Sequence, residues 1–274
     1  MTQFELIIEP NKTVKYFWKE LWQYRDLFYF LAWRDILVRY KQTVIGIAWS
    51  VLRPLLTMIV FTIVFGKIAR LPSGDTPYPV MVFAAMIPWQ FFSNTFSEAS
   101  NSLISNSQLI SKVYFPRIII PTTAMVVSLI DFAISFVILM GLMIWYGVMP
   151  DMKICLLPLL LLMAILTSLG VGYSIAALNV KYRDFRYVVP FMVQFGLYIS
   201  PVGFSSSVVP EKWRLIYSLN PMSGVIDGFR WGLLGEDVGL YWPGFIISMG
   251  LSVLLFVFGV IFFNKTERSF ADLI

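Results

Sequence analysis

Apolar residues run almost unbroken over 44–66, 79–100, 118–147, 154–178, 187–204 and 242–263, separated by stretches richer in charge, Pro and Gly. A helix needs ~20 residues at ~1.5 Å each to cross the ~30 Å hydrocarbon core of a bilayer. The pattern therefore predicts an all-α membrane protein with about six transmembrane helices. Two of the runs are irregular: the second, "PYPVMVFAAMIPWQFFSNTFSEASNSL", turns polar towards its end, and the fifth is short and broken by Pro201 and Gly203. Polar or non-helical backbone at membrane depth is tolerated only against protein or water, so these two are expected to border a water-filled path.

Before the first run the pattern changes. Phe17, Leu21, Tyr24 and Phe28 recur at helical spacing, with Lys15, Lys19, Gln23 and Asp26 on the opposite face. In "WRDILVRYKQT", residues 33–43, Ile36, Leu37 and Tyr40 cluster on one side, and Asp35 and Arg39 sit one turn apart, where they can pair. An amphipathic helix along the cytoplasmic interface is expected, serving either as an anchor for the first span or as a docking surface. On the far side of the chain, 203–241 is too long for a plain loop and too interrupted for a span. Pro210 and Pro221 punctuate two short helical patterns there, and their aromatic content argues against disorder. Pro201 and Gly203 mark the expected break of the fifth helix, and 208–235 is expected to fold as a re-entrant helical pair between the fifth and sixth spans.

Composition agrees with a membrane solvent: of 274 residues, 58% are hydrophobic and only 14% charged, against roughly 25% charged in soluble domains. The formal charge of +5 is read by the side it occupies rather than as a sign of nucleic acid. With a cytoplasmic N-terminus, that side holds Lys12, Lys15, Lys19, Arg25, Arg34, Arg39, Lys41, Lys112, Arg117, Lys181, Arg183, Arg186, Lys265 and Arg268, and the other only Lys67, Arg70, Lys153, Lys212, Arg214 and Arg230. Both termini are thus expected inside the cell. No cleaved signal peptide is expected, since the first forty residues are polar and mixed in charge. The single Cys155 cannot form a disulfide within the chain, and with no histidine at all, His-based triads, most zinc sites and histidine relays are excluded.

No G-x-x-x-x-G-K-[ST] loop occurs, so ATP cannot be bound by that route, and only Glu98 and Asp131 are acidic within the apolar runs, too few for an ion relay. Energy for uphill transport is expected from another subunit. A secondary transporter would need ion-binding groups at mid-membrane, and an intramembrane glycosyltransferase would need paired carboxylates or a metal cluster; neither is visible.

Four segments, "RDILVRYKQTVIGIAWSVLRPLL" at 34–56, "KVYFPRIIIP" at 112–121, "NVKYRDFRYVVPFMVQFGLYISPV" at 179–202 and "LNPMSGVIDGFRWGLLG" at 219–235, resemble the permease subunit of type-2 ABC exporters. The branch is the one that exports lipid-linked polysaccharides. O-antigen is the first expectation, teichoic acid or capsule the alternative, and an ion-coupled secondary transporter the remoter one. The resemblance implies a transport subunit rather than an enzyme. It implies a homodimer in the cytoplasmic (inner) membrane, a central pore for a polyprenyl-linked polymer, and a separate cytoplasmic ATPase that holds ATP and magnesium. This chain is expected to bind no cofactor or nucleic acid, and to touch membrane lipids.

The same resemblance divides the chain into cytoplasmic N-terminal and interface helices (1–43), a permease domain (44–264) with outer gate helices at 208–235, and a cytoplasmic tail (265–274). It assigns contacts with the ATPase to Arg34, Asp35, Arg39, Lys41 and Gln42 in the interface helix. A second set, Ser111, Lys112, Tyr114, Phe115 and Arg117, falls in a coupling helix between the second and third spans. The residues themselves agree, for "NSQLISKVYFPR" at 106–117 is a polar turn long enough for a short helix, with Pro116 ahead of the third span. An ordinary polar loop fits that pattern too. Pro201, Gly203, Asn220, Pro221 and Arg230 fall in the expected outer gate.

Arg53 lies about nine residues into the first span, ~14 Å deep at 1.5 Å per residue, where a charge costs at least ~2.5–3.5 kcal/mol. It must face protein or water. It either pairs with Asp131, at comparable depth in the third span, or meets the pyrophosphate or acidic sugars of a substrate. Trp89, Phe92 and Tyr198 offer surfaces for stacking sugars, or else belong to the interfacial aromatic belt.

Overall fold

The computed structural model describes residues 22–40, 44–71, 76–150, 152–182, 184–235, 239–267 and 270. Among these there are ten α-helices and no strand: α1 (Arg25–Tyr40), α2 (Val44–Phe61), α3 (Tyr78–Ser105), α4 (Ser107–Lys112), α5 (Ile119–Trp145), α6 (Leu157–Lys181), α7 (Phe185–Ile199), α8 (Glu211–Tyr217), α9 (Pro221–Leu234) and α10 (Trp242–Glu267). A π-helical turn, Thr62–Ile68, continues α2, and a 3-10 turn, Met152–Leu156, leads into α6.

Four segments are long and apolar enough to cross a membrane: Val51–Ile68, Ile119–Trp145, Met152–Lys181 and Trp242–Glu267. The fifth expected run yields the shorter apolar helix α7, which stops at Ile199, ahead of Pro201. The second yields α3, which is 28 residues long but less apolar. The reason lies in its surroundings, because α3 runs through the middle of the bundle, against α2, α5, α6, α7 and α9. Its first three turns, from Val80 to Trp89, are buried on every side. A helix enclosed by protein needs no lipid-compatible face and can carry Ser, Thr and Asn. Those groups bond across helices: Asn179 of α6 donates through Nδ2 to the Ser100 carbonyl at 3.0 Å and to Asn101 Oδ1 at 3.2 Å.

The ends of the bundle follow from cross-helix contacts. At one end the Arg117 amide, just before α5, donates to Glu267 Oε1 at the end of α10 (2.8 Å), and Arg34 of α1 reaches Asn106 at the end of α3 (3.0 Å). At the opposite end Arg230 of α9 bonds both the start of α3 (Met81) and the turn after α7 (Val202), and Ser248 of α10 donates to the Ser218 carbonyl just after α8. The helix α4 stops at Lys112, with Val113 already extended (φ −130, ψ 132), so the chain leaves the helix ahead of Pro116. Of the apolar stripe expected upstream of α1, Phe17 and Leu21 lie outside the described residues.

The tightest helix crossing is that of α6 with α10. A Cβ on Gly259 would stand 2.2 Å from the Gly170 carbonyl oxygen, and one on Gly170 would stand 2.6 Å from the backbone of Leu255. Small residues let helix backbones approach, and packing rather than hydrophobicity then holds helices together in lipid. Thr167 adds a hydrogen bond across the same crossing to Ser252, at 2.9 Å. Because the obstruction is backbone, it cannot rotate away. Gly259→Val is expected to destabilise the chain by about 3 kcal/mol, the upper end of overpacking costs. Gly250→Val, at a position with nothing within 4 Å, is expected to leave the thermal unfolding midpoint of the purified protein near wild type.

Candidate functional site

A groove of about 680 Å3 opens between α1, α2, α3, α5 and α7. Its polar wall is periodic. Gln90, Asn94 and Ser97 recur along one face of α3, Ser128, Asp131 and Ser135 along one face of α5, and Gln194 closes the α7 side. Trp89 and Phe132 add aromatic surface beside them. Apart from Asp131, these are hydroxyls and amides, which can exchange hydrogen bonds with a hydrophilic molecule without holding a charge.

Two arginines enter the groove. Arg39, near the end of α1, donates through Nη2 to Asp131 Oδ2 at 2.6 Å, and the Tyr40 hydroxyl donates to Oδ1 at 2.6 Å. Burial first, and the Asp131 hydrogen bond next, hold the Tyr40 hydroxyl well above the ordinary tyrosine range, so it stays a donor. Arg53, the other, has no ion pair among the described residues and lines the groove with its charge open. The expected Arg53–Asp131 pair is therefore corrected, since Arg39 takes that carboxylate. The expected Asp35–Arg39 pair is corrected too. Asp35 binds its neighbour Arg34 at 2.7 Å and accepts from Thr123 of α5 at 3.2 Å. Arg39 and Asp35 project towards different partners because α1 lies flat on α5 and both find stronger contacts there.

The remaining candidates fall into place unevenly. Lys41 and Gln42 lie outside the described residues. Ser111, Lys112 and Tyr114 are exposed around the end of α4, whereas Phe115 is buried in the core. Arg117 is held by Glu267, through its own Nη1 to the Glu267 carbonyl (3.1 Å) as well as its amide. Trp89 reaches the groove, packed against Gly196 of α7, but Phe92 stacks on Phe96 away from it, and Tyr198 is exposed on α7.

At the far end, Arg230 is wholly buried and bonds to three backbone carbonyls. Nη1 donates to Phe204 at 2.7 Å, Nη2 to Val202 at 2.8 Å and Nε to Met81 at 3.2 Å. It thus pins the turn holding Pro201 and Gly203 to α3 and α9. Tyr78 donates to the Gly203 carbonyl, and a Cβ at Gly203 would meet the rings of Phe61 and Phe65 at 3.0–3.1 Å. Asn220 caps α9 by accepting from the Met222 amide at 3.1 Å, and its Nδ2 donates to Ser200 Oγ at 2.9 Å; Pro221 takes the first helical position, where no N–H is needed. The two short helices expected over 208–235 are α8 and α9. They differ in kind: α9 belongs to the core through Met222, Val225, Ile226, Phe229 and Leu233, while α8 exposes Trp213, Leu215 and Ile216.

The sequence pointed to a water-filled path beside the polar end of the second run, now Gln90, Asn94 and Ser97 of α3, but the matching face of α5, Ser128, Asp131 and Ser135, went unread although it follows helical period inside an apolar run. Removing one partner of a buried ion pair costs ~3–5 kcal/mol, less here because the Arg39 side chain is 35% exposed. Arg39→Leu and Asp131→Leu are each expected to cost about 2 kcal/mol. The double variant should lie closer to wild type than either single one in thermal unfolding of the purified protein, since no charge is then left unpaired.

Comparison with known proteins adds family to geometry. The family described as ABC-2 type transporter matches residues 26–234. The chain is similar to the O-antigen export system permease protein of Klebsiella pneumoniae, 26% identical over 250 residues, or 91% of this chain and 95% of that protein. It is also similar to the permease of the same name from Myxococcus xanthus, 28% identical over 214 residues (77% and 82%). The polysialic acid transport protein of Escherichia coli is 23% identical over 246 residues (86% and 92%).

Proposed function

Because the chain belongs to the ABC-2 type transporter family, we propose that it is the permease subunit of an ATP-driven exporter moving lipid-linked polysaccharide, O-antigen first, across the cytoplasmic membrane. The observation that carries this is the groove, polar and periodic along α3 and α5, in a chain whose curated relatives are named for O-antigen and polysialic acid export. Arg53, open in that groove, suits an anionic group on the substrate. A capsular polymer fits the groove equally, and the polysialic acid relative favours that second reading.

In this reading α2, α3, α5, α6, α7 and α10 are the six spans. The end bearing α1, α4 and the last turn of α10 faces the cytoplasm, as its Lys and Arg require. A second copy closes the groove, and the exposed apolar rows of α2 (Leu52, Leu56, Ile59) and α7 (Phe191, Phe195, Tyr198) support such a partner or lipid. A separate ATPase with ATP and magnesium docks under α1 and α4, where Lys112 and Tyr114 stand free of the core. At the other end α8 completes an outer seal with its counterpart.

Three outcomes test this. Lys112→Glu with Tyr114→Ala is expected to leave membrane insertion intact and lower polymer export at least tenfold while ATP hydrolysis persists. Arg39 is unsuited to that test because it holds Asp131. Export at wild-type level in the double variant would rule out α4 as the coupling contact. In cells lacking the gene, lipid-linked polymer is expected to collect on the cytoplasmic leaflet; polymer displayed normally at the surface, with no second exporter present, would remove polysaccharide from the reading. For the seal, Trp213→Ser with Ile216→Ser is expected to make resting cells leak small ions without ATP hydrolysis, read as membrane depolarisation.

A further inference from the structure

A second cavity, of about 310 Å3, lies at the end of the bundle opposite α1, between α8, α9 and the start of α10. The two ends are separated by the length of α10, whose last residue binds Arg117 while its first turns pack on α8, Ser248 donating to the Ser218 carbonyl at 3.1 Å. The cavity shares no residue with the groove. Its size is at the lower end of the roughly 300–1,000 Å3 of small-molecule sites.

The wall holds polar groups that the fold does not use. Asp227 Oδ2 accepts from the Ser206 hydroxyl at 2.5 Å, and its Oδ1 accepts from no described residue. Ser223 is 3% exposed, and its hydroxyl makes no close hydrogen bond among the described residues, having only the Tyr217 hydroxyl beside it. The Tyr217 hydroxyl beside it donates elsewhere, to the Ile199 carbonyl at 2.7 Å. Arg214 is fixed by two carbonyls, Val209 from Nε at 3.0 Å and Ser207 from Nη2 at 3.1 Å, and among the described residues Nη1 has no partner. The rings of Tyr241 and Phe245 complete the wall. A buried hydroxyl without a partner costs ~1–3 kcal/mol, which a ligand supplying the bond recovers.

A carboxylate acceptor, a free hydroxyl and a guanidinium donor beside two aromatic rings match the hydroxyls and the C–H face of a sugar. Phosphate would meet the Asp227 carboxylate as well as Arg214, so its charge would be only partly compensated, and an acyl chain would leave Asp227 and Ser223 unsatisfied. We propose that this cavity binds a neutral, hydroxyl-rich sugar residue of the exported polymer, beside the outer gate and apart from the groove. The choice of sugar over another polyol rests on the exporter reading.

The test uses the full chain with its ATPase in lipid nanodiscs, and saturation-transfer NMR with the methyl glycosides of glucose, galactose, mannose and N-acetylglucosamine as probes. At least one glycoside is expected to receive saturation. Its affinity should fall about tenfold in Tyr241→Ala, which removes the packing ring, and about three- to tenfold in Ser223→Ala. It should be unchanged in Leu162→Ala, on an exposed apolar position of α6. Should Tyr241→Ala fail to fold, Ser223→Ala, which only deletes a hydroxyl, decides. No transfer to any of the four glycosides, or equal transfer in both variants, would overturn the proposal. Polymer export measured in the gene-deleted cells separates the two readings: loss of export without glycoside binding removes this site alone, and glycoside binding with export unaffected removes the exporter alone.

Discussion

A carboxylate near the middle of a membrane-spanning helix must be neutralised where it stands, and the arrangement of the first half of the chain follows from how Asp131 meets that demand. Its two oxygens are occupied by Arg39 and Tyr40 at 2.6 Å each. Both donors belong to α1, so the amphipathic helix is drawn along α5 instead of floating at the membrane surface. Arg34 and Asp35, about one turn earlier, add ties to Asn106 and Thr123. Held over its last two turns, α1 behaves as part of the groove wall. A force applied to α1 cannot leave the groove unchanged, because Arg39 and Asp131, which anchor its end, also line the groove.

The same demand explains why α3 looks the way it does. Its polar groups are affordable only because other helices surround it, and in return they supply the groove face at Gln90, Asn94 and Ser97 and the interhelical bonds at Ser100 and Asn101. Lipid-facing helices make the opposite choice. The helix α10 is close packed through Gly170 and Gly259 on one side and exposes Ile246, Val253, Val257 and Ile261 on the other, as a helix between protein and acyl chains must.

Much of this was legible in the chain. Apolar runs at 118–147, 154–178 and 242–263 match α5, α6 and α10 closely, because lipid leaves a helix of that length few alternatives. The break at Pro201 and the two short helices before α10 were legible from proline positions, for Pro210 immediately precedes α8 and Pro221 opens α9. Partner choice was not. Sequence spacing paired Asp35 with Arg39, which are neighbours on an isolated helix, but tertiary contacts with α5 outweigh a pairing worth only ~0.2–0.5 kcal/mol. Depth alone paired Arg53 with Asp131, but depth does not say which face a charge occupies. Phe92 and Tyr198 were chosen as aromatic residues in apolar runs, and only the packing of α3 against α7 shows that Trp89 faces the groove and they do not.

Arg230 and Arg53 show how burial separates a structural charge from one left for function. Arg230 lost all contact with water and received three carbonyls in exchange, two of them, Val202 and Phe204, at the broken end of α7 and the third, Met81, in α3. A guanidinium with five donors in a fixed plane suits that task, since one side chain can satisfy several divergent acceptors. It needs no ligand. Arg53 has the same chemistry and the opposite surroundings: it is exposed to the groove, and among the described residues no carboxylate takes its charge. A charged side chain is costly to place in lipid, so water or an anion must meet it. The groove is therefore wet at Arg53. In the exporter reading proposed above, a wet groove requires a dry closure at one end, and the exposed apolar face of α8, next to the turn pinned by Arg230, is the candidate for it.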